Sequence, residues 1–237
     1  PPIFIGGFCS KEVNCMKLDS RLMAIANLVR KDRVFADIGT DHAYLPVYLV
    51  ENGITSKAIA ADLRVGPLEN AKDAVVSYGF TEQIQLRLSD GLDNFKENEV
   101  EEIAVAGMGG LLISQFVERT GWLKNENIHL ILQPMTHVEE LRKTLFDNGF
   151  IIDKEVVAED GDKLYIILSA YYYADATAYT DFDLIVGKLP HNDDELSKKY
   201  LAKIYDKHYK KFVALQKADK DCSELEKLVG ELKQWQQ

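Results

Sequence analysis

The sequence predicts a doubly wound α/β sheet of seven strands, Rossmann-like in plan, carrying a C-terminal α-helical hairpin. Three observations point there. Short apolar runs alternate with amphipathic helical segments along residues 33–148, a rhythm that a parallel sheet covered by helices satisfies. Acidic or glycine-bearing turns follow the apolar runs, at the strand ends where such a sheet gathers its ligands. After Pro190 the pattern changes to two runs of helical period with no strand between them.

Taken in order, Asp19 or Ser20 caps a helix through Leu22, Ile25, Ala26 and Val29. Residues 33–37 form the first strand. Gly39 allows a tight turn, and residues 44–52 form a helix with Pro46 in its first turn, where a missing N–H costs nothing, and Gly53 at its end. Residues 57–61 are the second strand, and Pro67 opens a helix through Leu68, Ala71, Val75 and Tyr78 that Gly79 ends. Ile84, Leu86 and Leu88 alternate as a third strand, and residues 103–106 make the fourth. Gly109 starts a helix through Leu112, Phe116 and Val117, residues 128–132 make the fifth strand, and residues 138–148 a helix stopped by Gly149. Residues 150–157 and 163–173, joined by the acidic turn at 159–162, break the rhythm as an antiparallel hairpin at the sheet's edge. A loosely structured bridge follows. Beyond it Leu196, Tyr200, Ile204, His208, Phe212 and Leu215 recur at helical spacing, as do Leu225, Leu228, Val229, Leu232 and Trp235. The expected division is a main domain over 16–175, a bridge over 176–190 and a coiled-coil-like hairpin domain over 191–237. Residues 1–15 read as a cloning scar outside the fold, because a helix start appears abruptly at Met16.

Composition narrows the possibilities. A chain of 237 residues that is 46% hydrophobic can bury one full core and an appendage. No apolar run reaches the roughly 20 residues of a membrane span, and residues 1–15 lack the pattern of a signal peptide, so a cytoplasmic location is expected. Cys9, Cys15 and Cys222 have no ligand spacing and the five histidines are scattered, so neither a disulfide framework nor a metal is expected. Net charge is −10, which argues against a polyanionic partner until its distribution is read. Residues 190–237 hold ten lysines against nine acids, leaving −11 on everything before them. Lys198 to Lys220 alone carry eight lysines against Asp206 and Asp219.

Five stretches at strand ends carry candidate chemistry. The first, Asp37 with Gly39, Thr40 and Asp41, has only the first glycine of a dinucleotide loop, with Asp41 where the second belongs. A pyrophosphate is therefore disfavoured, and a D-x-G-x-D turn suits a ligand with a positive end such as S-adenosyl-L-methionine. Asp62, followed by Leu63, stands where an acid accepts ribose hydroxyls, although it could equally cap a helix. Asp90-Gly91 offers an acceptor for an adenine amine and room for the ring, or is simply a turn. Ala106-Gly107-Met108-Gly109-Gly110 places open backbone beside a substrate, or serves close strand-to-helix packing. Gln133-Pro134 offers an amide to read a base edge, or is a surface turn.

Together these loops indicate a Rossmann-like methyltransferase. The segment from Leu18 to Tyr173, with Gly39-Thr40-Asp41-His42-Ala43-Tyr44-Leu45-Pro46, Ala106-Gly107-Met108-Gly109-Gly110 and Leu132-Gln133-Pro134, resembles the bacterial tRNA adenine-22 N1-methyltransferases. The resemblance implies an S-adenosyl-L-methionine-binding Rossmann-like domain, a C-terminal coiled-coil-like helical domain, and methylation of adenine N1 at tRNA position 22. The chain has no Asn/Asp-Pro-Pro-Tyr segment of the kind that holds a target amine, and a ring-nitrogen target fits that difference. N1 methylation leaves a cationic base, so Asp41, His42 and Tyr44 beside the cofactor loop are the candidate catalytic residues, with Tyr44 able to stack on a flipped adenine. For both Tyr44 and His42 a purely structural role is the open alternative.

Two function classes follow from these readings. One is a methyltransferase whose lysine-bearing helix, with Lys199, Lys203, Lys207 and Lys210 foremost, grips tRNA phosphates. Another RNA or another base remains possible within that class. The other is a non-catalytic nucleotide-binding module with a helical dimerisation arm. The first predicts a monomer with the hairpin packed within one chain, and predicts that removing residues 190–237 spares cofactor binding.

Overall fold

The computed structural model describes residues 15–174 and 178–235, so the expected scar at 1–15 lies almost wholly outside the described residues. The chain opens with α1 (Ser20–Ala26), whose N-cap Asp19 accepts from the Leu22 N–H at 2.7 Å. Then come β1 (Phe35–Ile38), α2 (Tyr44–Glu51), β2 (Ala58–Asp62), α3 (Val65–Tyr78), β3 (Ile84–Leu88), β4 (Glu102–Met108), α4 (Gly110–Arg119), β5 (His129–Pro134), α5 (Val138–Asp147), β6 (Phe150–Asp160) and β7 (Lys163–Tyr172). The C-terminal part is α6 (Asp181–Val186), α7 (Glu195–Lys217) and α8 (Ser223–Lys233).

The seven strands form one sheet in the order β3-β2-β1-β4-β5-β7-β6. β1 to β5 pair in parallel, while β7 pairs antiparallel with both β5 and β6. Strand order reverses between β1 and β4, the place where a doubly wound sheet opens a crevice at its carboxyl edge. Alternation along the strands feeds two cores. Ala36, Ile38, Ile103, Val105, Leu130 and Leu132 face α4 and α5, whereas Phe35, Ala104 and Ile131 face α1, α2 and α3.

Three expectations change on contact with the fold. α3 starts at Val65, ahead of Pro67, because the Asp62 carboxylate accepts from the Arg64 N–H at 2.7 Å and turns the chain into the helix early. The bridge is not loose. It holds α6, started by a reciprocal capping box between Thr180 and Asp183, and a short 3-10 turn over Leu189–His191. Beneath it Arg142 and Glu155 form a fully buried ion pair, Nε to Oε1 2.8 Å and Nη2 to Oε2 3.0 Å. Arg142 also donates to the carbonyls of Leu184 and Ile185, and Glu155 accepts from the Lys188 N–H. Nor is the hairpin a free-standing coiled coil. Leu201 of α7 and Leu232 of α8 are buried in the same core as α4 and α5, with Tyr200, Ile204 and Leu228 packed against it. Trp235, expected inside the hairpin, stays exposed.

Candidate functional site

Gly39 turns the chain at the end of β1 with φ +81°, a conformation that favours glycine, and a Cβ there would overlap the Met108 methyl. The loops after β1 and β4 therefore touch across the switch point. The N–H groups of Gly39 and Thr40 both donate to the Ala61 carbonyl, at 2.8 and 2.9 Å, which straps this turn to β2. Thr40 Oγ1 accepts from the Ala43 N–H at 3.1 Å, and Ala43 enters α2 with φ +52°.

Two buried acids face this turn. Burial pushes the Asp37 carboxyl up to about 6, while the Thr40 hydroxyl and the Arg21 guanidinium pull it back and the Asp62 charge pushes it further. A cation placed there would meet a carboxylate that burial leaves short of partners. Asp62 at the tip of β2 uses Oδ1 on the Arg64 N–H, leaving its second oxygen for a ligand hydroxyl. Leu63 beside it is exposed and apolar.

The remaining candidates divide. Asp90 is taken up by Arg119 (Nη2 to Oδ1 3.1 Å), which weakens its expected role toward an adenine amine. Gly91 has φ +55° and a Cβ there would lie 2.7 Å from the Phe116 ring, so close packing accounts for it. Gly107 has φ +77° and is exposed, with open backbone toward the crevice between Ala106 and Met108. Gly109 is half-buried, whereas Gly110 is buried against the His137 and Thr136 carbonyls and its N–H donates to Thr136 O at 2.8 Å. Gly110 serves packing between the loops after β4 and β5, not substrate contact. Gln133 does not read a base edge either, since the residue is 0% exposed. Its Oε1 accepts from Arg21 Nη1 and from the Gly107 N–H, both at 3.0 Å, and its Nε2 donates to the Pro134 carbonyl at 3.1 Å. Pro134 is buried as the last residue of β5.

Asp41, His42 and Tyr44 follow the Gly39 turn into α2 and are more exposed than the two acids. Asp41 is 68% exposed on its side chain and lies 3.3 Å from His42 Nε2. The His42 and Tyr44 rings stack at 5.0 Å and 13°, with Tyr44 42% exposed, forming an aromatic platform open to solvent. On α7, Lys199 pairs with Glu159 and Lys207 with Glu139 at 3.2 Å, while Lys203 and Lys210 are exposed. Lys203 and Lys207 line a groove of about 530 Å³ whose other wall is the start of α5 with His137 and Glu139. Among the described residues no cluster of His, Cys, Asp and Glu could hold a metal ion. Sequence reasoning passed over Arg21, whose helical period marked it only as a polar residue among apolar neighbours.

The chain is similar to proteins of known family and structure. A family model described as "Methyltransferase domain" matches residues 18–168. The tRNA (adenine(22)-N(1))-methyltransferase of Bacillus subtilis is 37% identical over 177 residues, covering 75% of this chain and 74% of that protein. The crystal structure of the B. subtilis m1A22 tRNA methyltransferase TrmK superposes with TM-score 0.77 at 31% identity, over 93% of this chain and 96% of that one. A Streptococcus pneumoniae protein solved in complex with S-adenosyl-L-methionine superposes with TM-score 0.81 at 32% identity, over 93% of this chain and all of that one.

Proposed function

The chain belongs to the tRNA (adenine-22-N1)-methyltransferase family, and from that membership we infer the chemistry of the crevice at β1 and β4. It is an S-adenosyl-L-methionine-dependent enzyme that methylates N1 of an adenine in tRNA. The observation that carries this reading at the site is the pair of buried acids, Asp37 and Asp62, on adjacent parallel strands beside a glycine turn. That donor set fits the cofactor: Asp37 toward the ammonium of its methionine end, Asp62 toward the ribose hydroxyls, and the exposed Leu63 toward the adenine. When bound, the cofactor supplies an electrophilic methyl on a sulfonium. The protein's part is then to hold neutral adenine with its N1 lone pair in line and to shed water from the contact.

The stacked His42 and Tyr44 rings offer the platform for a base drawn out of the RNA stack, and Asp41 beside them adds negative charge where the methylated purine becomes cationic. Residues 16–175 act as the catalytic unit in this proposal. Residues 191–237 carry the phosphate grip, through Lys203 and Lys207 in the groove beside α5 and the exposed Lys210 further along α7. Burial of Leu201 and Leu232 in the main core supports a monomer, because that part of the hairpin's apolar face is already covered. Incubation with unmodified tRNA and the cofactor, followed by nucleoside mass spectrometry and mapping of the modified position, tests the reading. Its expected result is 1-methyladenosine at position 22, and an untouched tRNA would refute it.

A further inference from the structure

The crevice is chemically divided. Its β1 and β2 side carries Asp37, Asp41 and Asp62, whereas no charged residue occurs from Ile103 to Val117 or from Leu130 to Thr136, the stretches that end β4 and β5 and begin α4. The uncharged side also exposes large apolar side chains. Met135, just past β5, is 48% exposed, and Leu111 and Leu112 in the first turn of α4 are exposed as well. The two loops abut, since the Gly110 N–H donates to the Thr136 carbonyl and a Cβ on Gly110 would crowd that oxygen.

Met135 is exposed and yet held in place. β4 bulges at Gly107: Ala106 pairs with Gln133 and Met108 with Pro134, so Gly107, with φ +77°, has no partner on β5. Beyond the bulge the pairing resumes, and the Met135 N–H donates to the Met108 carbonyl at 2.7 Å. Gln133, whose Oε1 accepts from the Gly107 N–H, donates from Nε2 to the Met135 sulfur at 3.5 Å. One buried amide therefore fixes both the bulged glycine and the thioether beside it. Met108 in turn packs against Gly39 in the turn that leads to the stacked His42 and Tyr44 rings. A line of contacts thus crosses the neighbouring strands β5, β4 and β1 at their carboxyl ends.

We propose that Met135 packs against the face of the target adenine and forms the wall of the base slot on the β5 side. The proposal rests on the functional reading given above. Neighbouring strands lie about 4.8 Å apart, which puts the loops after β1 and β5 roughly 10 Å from each other with the Gly107 backbone between them. A flat base touched on both faces takes up about 7 Å, twice a contact of about 3.5 Å, and fits that span. The bulged glycine has no side chain to block the approach of the base edge. A thioether suits the wall because it is polarizable and packs favourably on an aromatic ring. An apolar wall also offers no N–H or O–H to tie up the N1 lone pair, and the Gly107 N–H is already taken by Gln133.

Steady-state methylation of unmodified tRNA by the full chain, together with calorimetric titration of S-adenosyl-L-methionine, isolates this contact. Met135→Ala should lower kcat/KM for tRNA about tenfold, the scale of one base stacked on a side chain, and leave cofactor affinity within about twofold of wild type. Met135→Leu restores an apolar wall and should recover most of that loss. Met135→Lys separates the slot from a plain surface turn. On a surface turn an added cation would strengthen tRNA binding by an acidic protein, whereas a lysine in the base slot should lower kcat. Thermal unfolding of each variant reports whether it is folded, and Met135→Leu and Met135→Lys carry the test if Met135→Ala is not. A Met135→Ala protein with wild-type kcat/KM, or one that loses cofactor affinity in the same proportion, overturns the proposal and leaves the functional reading standing. So does a Met135→Lys protein that turns over as fast as wild type. A wild-type protein that leaves tRNA unmethylated overturns the functional reading and the proposal with it.

Discussion

At the scale of single residues, the chemistry turns on a carboxylate that the fold makes uncomfortable. Asp37 is buried, and its pKa is pushed up to about 6 from 3.8 chiefly by loss of solvent. A carboxyl whose folded pKa lies above its unfolded value contributes stability below about pH 4 and loses that contribution as pH rises through about 6. An ammonium ligand needs the charged form, so cofactor affinity should run the other way. It should rise about tenfold per pH unit from pH 5 toward 6 and level off above. Calorimetry across that range checks the slope, and Asp37→Asn should bind weakly with a flat profile. Tyr44 is a different case. Its exposed ring stacks on His42 outside the acid pair. Tyr44→Ala should lower methyl transfer far more than cofactor affinity, by an amount in line with the roughly 1–3 kcal/mol of a base stacked on an aromatic ring. Equal losses in both would assign Tyr44 to the fold or the cofactor pocket.

Among the elements, one buried ion pair joins the apolar contacts that fasten the C-terminal helices to the sheet. Arg142 on α5 and Glu155 on β6 satisfy each other and also the Leu184 and Ile185 carbonyls and the Lys188 N–H. Gly187 has φ +57° and comes so close to the Glu155 carboxylate that a side chain there would displace it. Breaking such a pair leaves an uncompensated buried charge, which costs about 3–5 kcal/mol. Arg142→Met should therefore lower the melting temperature by roughly 10 °C or more, read by calorimetric scanning. An unchanged melting temperature would mean the pair is replaceable and the junction is held by apolar contacts alone.

For the whole molecule, the question is how a chain of net charge −10 holds a polyanion. Deleting residues 190–237 no longer serves as the test, because Leu201 and Leu232 belong to the core that α4 and α5 share, and their loss would expose it. Point changes on the exposed face of α7 avoid that damage. The triple variant Lys203→Ala, Lys207→Ala, Lys210→Ala should keep its melting temperature and cofactor affinity while tRNA binding weakens. For every phosphate that a removed lysine had neutralised, the slope of log affinity against log salt should flatten by just under one unit. A variant with an unchanged slope would move the grip elsewhere, for instance to Lys198 or Lys211. Of Lys199, Lys203, Lys207 and Lys210, two already have acidic partners, Lys199 in Glu159 and Lys207 in Glu139, and a phosphate would have to displace them.

The local rules of the chain were enough for the strands, most helix starts and the switch-point loops, because alternation, capping and glycine turns act over a few residues and are legible in order. Asp37, Gly39, Asp62 and Gly107 could be named from position alone, since a parallel sheet brings its carboxyl ends together whatever its side chains do. Only the tertiary structure decided which of the other candidates face the crevice. Gln133 turned inward because Arg21 and Gly107, far from it in sequence, both donate to its one carbonyl oxygen. Gly110 proved to be a packing residue because the Thr136 and His137 carbonyls lie against it. The buried Arg142–Glu155 pair and the docking of α7 and α8 on the sheet were equally out of reach of periodicity. A helical stripe records that a face is buried, but its partner is set by contacts that form only when distant segments meet.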